Sequence, residues 1–296
     1  MTRTLRLATR GSALALVQAN TVKDALEALG ASVEIVPVST KGDRDVKSPL
    51  AKIGGRGLFV KEVEQVLLDG KADLAVHSGK DLPYALADGL VIAGVPKAAA
   101  PGDVLLFRNG ERRAASLAAP CEEPLVIGTG SPRRVMECRQ FFLNATFTEL
   151  RGNVDTRLDK LRNRQYDAIL AARAGLDRLA ADLSDFECLS FSPDEFLPAP
   201  CQGILAVECR ADDPEVIALL GRISDPESAA RFSAERTMFA LLQADCTVPL
   251  GVHCELFETD RRTGYRISAM YQDRKTTREG TELASLCESI RQELMS

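Results

Sequence analysis

The chain reads as an α/β protein of two strand–helix units joined by two chain crossings, with a smaller unit at the end. Three observations predict this. Short apolar runs alternate with segments of helical period through the first hundred residues, and again from "DVLLFR" onward. Two breaks in composition, "KAAAPGD" (97–103) and "SPDEFLPAP" (192–200), separate those stretches. After the second break "CQGILAVECR" reads as a strand that rejoins the first unit. A length of 296 residues sets a prior of about two domains and is ample for proper cores.

Each element has its own signal. "TLRLAT" is a strand, and a helix follows over 12–29, where Val22, Ala25, Leu26 and Leu29 share a face and Gly30 stops it. "VEIVPVST" is the second strand. Phe59, Val63, Val66 and Leu67 line a helix that ends at Gly70, and "ADLAVHS" and "LVIAGVP" are strands three and four. In the second unit "DVLLFR", "LVIGTG", "ATFTEL" and "YDAILAA" are strands, the last three each leading into a helix. From about residue 225 come a helix over 229–242, a turn holding Cys246, strands "VHCELFE" and "YRISAMY", and a last helix from about 281. The expected boundaries are 1–98 with 199–222, then 103–195, then 226–296.

Composition narrows the function. No apolar run approaches the ~18 residues of a membrane span, and "MTRTLRLATR" lacks the apolar centre of a secretory signal. A cytoplasmic protein with reduced cysteines is expected. The eight cysteines include no C-x-x-C pair and there are only two histidines, so no metal site is expected. Cysteines other than Cys246 are read as small buried hydrophobes. A net charge of −5 argues against nucleic acid as a partner. Within 131–164, however, eight basic residues face four acids, a local +4 inside an acidic chain. A solvated helical face is the ordinary fate of such a run; a pocket for a small polyanion is the sharper reading.

Ligands of open α/β sheets bind beyond the C-terminal ends of the strands, beside helix N-termini. "TRGS" follows the first strand, with Arg10 and with Ser12 placed to cap the helix. "HSGKDLP" follows the third, with His77, Ser78, Lys80 and Asp81. "SPRR" follows "LVIGTG", with Ser131 at N-cap and Arg133 and Arg134 in the first helical turn. "RGNVDTR" follows "ATFTEL", with Arg151 and Arg157 around Asn153. Arginines in a first turn sit against the positive end of the helix dipole, so they ask for an anionic partner. Asp81 stands out as a lone carboxylate in this basic surround; it is either a turn residue before Pro83 or a group that stabilises positive charge or carries a proton. "KIGGRGLF" (52–59) follows no strand and reads as a mobile lid. Neither phosphate-loop nor dinucleotide glycine motifs occur.

Nine segments in order, among them "LRLATRGSALALVQA", "PLAKIGGRGLFVKE", "ADLAVHSGKDLP", "VIGTGSPRR", "ELRGNVDTRL", "APCQGILAVECR" and "AERTMFALLQADCTVPLG", resemble the porphobilinogen deaminases (hydroxymethylbilane synthases) over essentially the whole chain. The resemblance implies two type II periplasmic-binding-protein-like lobes plus a smaller C-terminal α/β domain carrying a cofactor cysteine. It implies a transferase of tetrapyrrole (heme) biosynthesis that adds four porphobilinogens head to tail, losing ammonia each time, and then releases linear hydroxymethylbilane. The primer is a dipyrromethane cofactor held by a thioether, which falls on Cys246. Asp81 falls on the catalytic aspartate. Arg10, Ser12, Lys80, Thr129, Ser131, Arg133, Arg134, Arg151, Arg157 and Arg178 fall on positions gripping the acetates and propionates of cofactor and substrate. Lys52, Arg56 and Phe59 fall in the mobile loop. A monomer is expected.

The chain departs from the family's pattern at a few positions. Ala244 and Asp245 stand where two glycines are usual, and Cys201 stands where a hinge glycine is common. A two-lobe anion-binding or sensor protein is the alternative from another class, and an inactive paralogue is a third. Cys246 together with Asp81 favours the enzyme, because a plain two-lobe binder needs neither.

Overall fold

In the computed structural model the described residues are 3–40, 60–111, 121–243, 248–260 and 262–296. The first unit opens with β1 (Thr4–Arg10), whose Leu5 and Leu7 are fully buried under α1 (Ala13–Glu27). The Ser12 hydroxyl caps α1 by accepting from the Ala15 amide, as its position predicts. Ala19, Val22 and Leu26 form its buried stripe, and packing of that stripe holds the helix more firmly than propensity does. β2 (Ser32–Val38), α2 (Lys61–Leu68), β3 (Leu74–Ser78) and β4 (Leu90–Gly94) follow. β10 (Leu205–Arg210) returns to this sheet, whose order is β2-β1-β3-β10-β4. β1 pairs parallel with β2 and β3, whereas β10 runs antiparallel to β3 and β4. Val63, Leu67, Ala75 and Leu90 close a second core cluster of the unit.

The second unit repeats the plan. β5 (Asp103–Arg108), β6 (Leu125–Gly128), β7 (Ala145–Thr148), β8 (Ala168–Ala172) and β9 (Phe186–Ser190) form a sheet in the order β7-β6-β8-β5-β9. Here β5, the first strand after the crossing, is the antiparallel member between β8 and β9. Both sheets therefore have an antiparallel strand at the same place in their order, and each of these strands directly follows a crossing. The helices α3 (Pro132–Cys138), α4 (Val154–Arg162) and α5 (Arg173–Arg178) follow β6, β7 and β8.

A third sheet is an antiparallel meander, β11 (Leu250–Glu258), β12 (Thr263–Tyr271) and β13 (Arg274–Gly280), covered by α8 (Leu283–Met295). It belongs to the same compact unit as 100–200, that unit being Ala100–Pro200 with Leu241–Ser296. The Val252 amide donates to Pro198 O (3.0 Å), Lys275 Nζ lies 3.7 Å from Glu137, and Arg266 pairs with Asp194 at 3.6 Å. The other unit is Met1–Ala99 with Cys201–Ala240 and includes α6 (Pro214–Gly221) and most of α7 (Pro226–Leu242).

The predicted α/β pattern is present, with additions. β9, β13 and α6 had no counterpart in the sequence reading. α6 carried a legible signal, since Asp213 caps it by accepting from the Val216 amide and Pro214 is its first residue. α7 starts three residues earlier than the apolar pattern suggests, because Asp225 accepts from both the amide and the hydroxyl of Ser228. Of the cysteines, Cys121, Cys138, Cys201, Cys209, Cys254 and Cys287 are buried, and Cys188 is half-buried. No helix among the described residues is long and apolar enough to cross a membrane.

Candidate functional site

In the first unit β3 runs into a single 3-10 turn, Gly79–Asp81, which presents Lys80 and Asp81 on the surface. The turn is held from several sides. The Gln18 side-chain amide on α1 donates to Ser78 Oγ at 2.9 Å, and Lys80 Nζ donates to the buried Gln202 at 3.3 Å. The Gly79 amide donates to Ile204 O at 2.9 Å. Gly79 has to be glycine for this approach, since a Cβ there would lie 2.9 Å from Cys201 Cβ and 3.3 Å from Ile204 O. Arg10 closes β1, and Ser12 caps the next helix. These are the strand-end positions the sequence predicts for Arg10, Ser12, Lys80 and Asp81.

Beneath the turn lies a titratable cluster that sequence reasoning did not assemble. His77 Nε2 is 3.0 Å from Glu208 Oε2, both buried, on adjacent antiparallel strands. Burial pushes the Glu64 carboxyl above its usual range, and the nearby Glu208 charge pushes it further. The predicted hinge residue Cys201 adopts φ = 59°, the left-handed region that glycine prefers, with its amide donating to Glu235 Oε2 at 2.6 Å.

In the second unit Ser131 caps α3 by accepting from the Arg134 amide, and Thr129 Oγ1 accepts from the Ser131 amide. Arg133 and Arg134 are both buried and converge on Asp103, which is fully buried. Arg133 Nη2 donates to Asp103 Oδ2 at 2.7 Å, while Arg134 Nε and Nη2 donate to Oδ1 at 3.1 and 2.6 Å. Further donors reach Leu197 O (2.6 Å) and Leu170 O (3.3 Å). One anionic partner that the first-turn arginines ask for is thus internal. Burial draws the Arg133 guanidinium below its usual range despite Asp103.

Arg151 and Arg157 flank the N-terminus of α4, which the Asn153 side chain caps. Arg151 pairs with Glu149 at 3.6 Å, and Arg157 Nε donates to Gly152 O at 2.8 Å. Gly152 holds φ = 111°, and a Cβ there would meet Thr156 Cγ2 at 2.7 Å, so only glycine closes this loop. Arg178 ends α5, half-buried, and burial lowers its pKa. The remaining predicted residues, Cys246, Lys52, Arg56 and Phe59, lie outside the described residues. Among the described residues no group of three or more His, Cys, Asp or Glu is placed to hold a metal.

Guanidiniums, an ammonium, hydroxyls and helix-end amides at strand ends are the donor set for carboxylates, and an exposed aspartate among them is suited to a cationic centre. Each unit thus carries, at its strand ends, groups suited to binding small polycarboxylates. The family model for the porphobilinogen deaminase dipyrromethane cofactor-binding domain matches residues 5–218. Porphobilinogen deaminase from Syntrophobacter fumaroxidans is 43% identical over 260 residues, covering 86% of this chain and 81% of the relative. The Gloeobacter violaceus enzyme is 41% identical over 281 residues, covering 94% and 84%. The chain belongs to the porphobilinogen deaminase family. Among solved structures, an ancestral cationic amino-acid solute-binding protein matches 74% of this chain and 87% of its own, with 16% identity and a TM-score of 0.45.

The cofactor of this family fits the donor set found here. Two pyrrole rings bear four carboxylates, and each unit by itself has cationic and hydroxyl groups at its strand ends of the kind that bind carboxylates.

Proposed function

We infer that this chain joins four porphobilinogens head to tail on a dipyrromethane primer tethered to Cys246, releasing one ammonia per addition and finally linear hydroxymethylbilane. The observation that carries the catalytic assignment is the placement of Asp81, an exposed carboxylate on a short turn pinned by its neighbours at the end of β3. Each addition breaks the C–N bond of an aminomethyl group, leaving positive charge on the pyrrole and its methylene carbon. Asp81 accepts a hydrogen bond from the pyrrole N–H and balances that charge as it develops, where a fixed anion lowers the barrier most. Bound dipyrromethane supplies the free pyrrole carbon at which the polymer grows.

Arg10, Ser12, Lys80, Thr129, Ser131, Arg133, Arg134, Arg151, Arg157 and Arg178 orient the rings by their acetates and propionates. Arg133 and Arg134 do so from orientations that Asp103 fixes. Lys52, Arg56 and Phe59 are assigned to the family's mobile loop by resemblance alone. The domains are read as 1–98 with 199–222, 103–195, and 226–296; the three separate sheets support three sheet-bearing parts, while α7 up to Ala240 groups with the first unit. We place the protein in the cytoplasm as a monomer that engages no nucleic acid; the net charge of −5 supports the last of these.

Asp81→Ala tests the assignment. The turn is exposed at this side chain, so the variant folds and carries its cofactor, while turnover of porphobilinogen falls by about 100-fold or more. Turnover at the parental rate would remove Asp81 from the mechanism.

A further inference from the structure

The turn carrying Asp81 is short, and its closing bond, from the Leu82 amide to Gly79 O, is long at 3.3 Å. A turn this small does not order itself; its geometry comes from what holds it. On its N-terminal side the holders are Gln18 and Ile204, described above. On its C-terminal side the holder is Arg236 of α7. Its Nη2 donates to Tyr84 O at 2.8 Å and its Nη1 to Leu82 O at 3.4 Å, so one planar fork spans the carbonyls one and three residues past Asp81.

The fork is itself fixed. The guanidinium carbon lies 6.0 Å from the Phe232 ring centroid and 5.8 Å from that of Phe239. Tyr84 returns the contact, packing edge-on against Phe239 with centroids 6.2 Å apart. One residue earlier, Glu235 accepts from the Cys201 amide in the turn that precedes β10. Residues 232–239 of α7 thus clamp both the stretch after Asp81 and the crossing.

We infer that Arg236 is a positioning residue for the reaction: it fixes the Asp81 turn to α7. This rests on the reading of Asp81 given above. Arg236 touches no reacting atom in this role. Its removal leaves the carboxylate-gripping groups outside this turn in place, and Gln202 still holds Lys80 within it, so the loss falls mainly on turnover rather than on substrate affinity.

The test compares Arg236→Gln and Arg236→Lys with the parent and with Asp81→Ala, all as purified full-length chains. Arg236→Gln is expected to carry the cofactor mass, to keep KM within about threefold, and to lose kcat by about 10- to 100-fold, the scale of a misplaced reacting group. Amide hydrogen exchange over residues 79–86 is expected to quicken in the same variant. Arg236→Lys, whose single ammonium can hold one carbonyl of the two, recovers part of kcat and of the protection. Should the Gln variant fail to fold, the Lys variant gives the same readouts at smaller amplitude. Parental kcat with unchanged exchange, beside an inactive Asp81→Ala, overturns the role of Arg236 alone. An active Asp81→Ala overturns the reading beneath it.

Discussion

Replacing Asp103 with asparagine removes one charge from the most deeply buried ionic group of the second unit and changes its shape very little. The carboxylate is fully buried and accepts three charge-assisted hydrogen bonds, at 2.7, 3.1 and 2.6 Å, from two buried guanidiniums. An amide turns one of its two acceptors into a donor. Whichever way it settles, that donor faces an arginine. Two positive charges then share the interior with no carboxylate between them, and Glu137, whose carboxyl burial pushes upward, is a poor substitute. Breaking a buried pair this way costs about 3–5 kcal/mol. For a unit of this size that corresponds to roughly 6–20 °C in melting temperature. Thermal unfolding followed by near-UV circular dichroism at pH 7.5 measures it. The loss should persist between 0.1 and 0.5 M salt, because a buried group is screened little while an exposed pair such as Arg173–Asp177 is screened well. A melting point within about 2 °C of the parent, or a loss that salt abolishes, would refute the reasoning.

Two further outcomes follow from burial. Glu64 takes up its proton more readily in the folded chain than its ordinary value of 4.5, so the native state binds more protons than the unfolded state just above that pH. Its contribution to stability therefore falls as pH rises through that window, and Glu64→Gln should melt higher than the parent at pH 8 and show no gain at pH 4; an equal effect at both would contradict the assignment. Burial pushes the Cys209 and Cys287 thiols up to about 11 and raises Cys138 and Cys201 as well. At pH 8 a thiol reagent should label these four roughly 100-fold or more slowly in the native protein than in guanidinium chloride, and fast native labelling of any one, read by peptide mass, would show its environment to be open.

Much of this fold was legible because its signals are local. β1 and α1 declare themselves through Leu5, Leu7, Val22 and Leu26, with Ser12 and Gly30 as start and stop. The site loops were legible for the same reason, since each follows a strand and opens a turn or helix. What escaped was non-local or lacked pattern. β13 reads "RKTTREG", with no apolar residue; it is an edge strand that buries Thr276 and takes its order from β12. Asp103 precedes Arg133 by 30 residues, so no spacing announces that it neutralises the arginines of α3. Arg236 likewise lies more than 150 residues from the carbonyls it holds. His77 was visible as a residue near the site, but its partner Glu208 arrives only when β10 crosses back.

The most direct measurement is the intact mass of the purified chain beside its Cys246→Ser variant. A primer-dependent synthase carries the mass of two linked pyrrole units above the sequence mass, and the serine variant lacks that excess and does not consume porphobilinogen. A folded parent at its bare sequence mass that consumes no porphobilinogen would contradict the function assigned here.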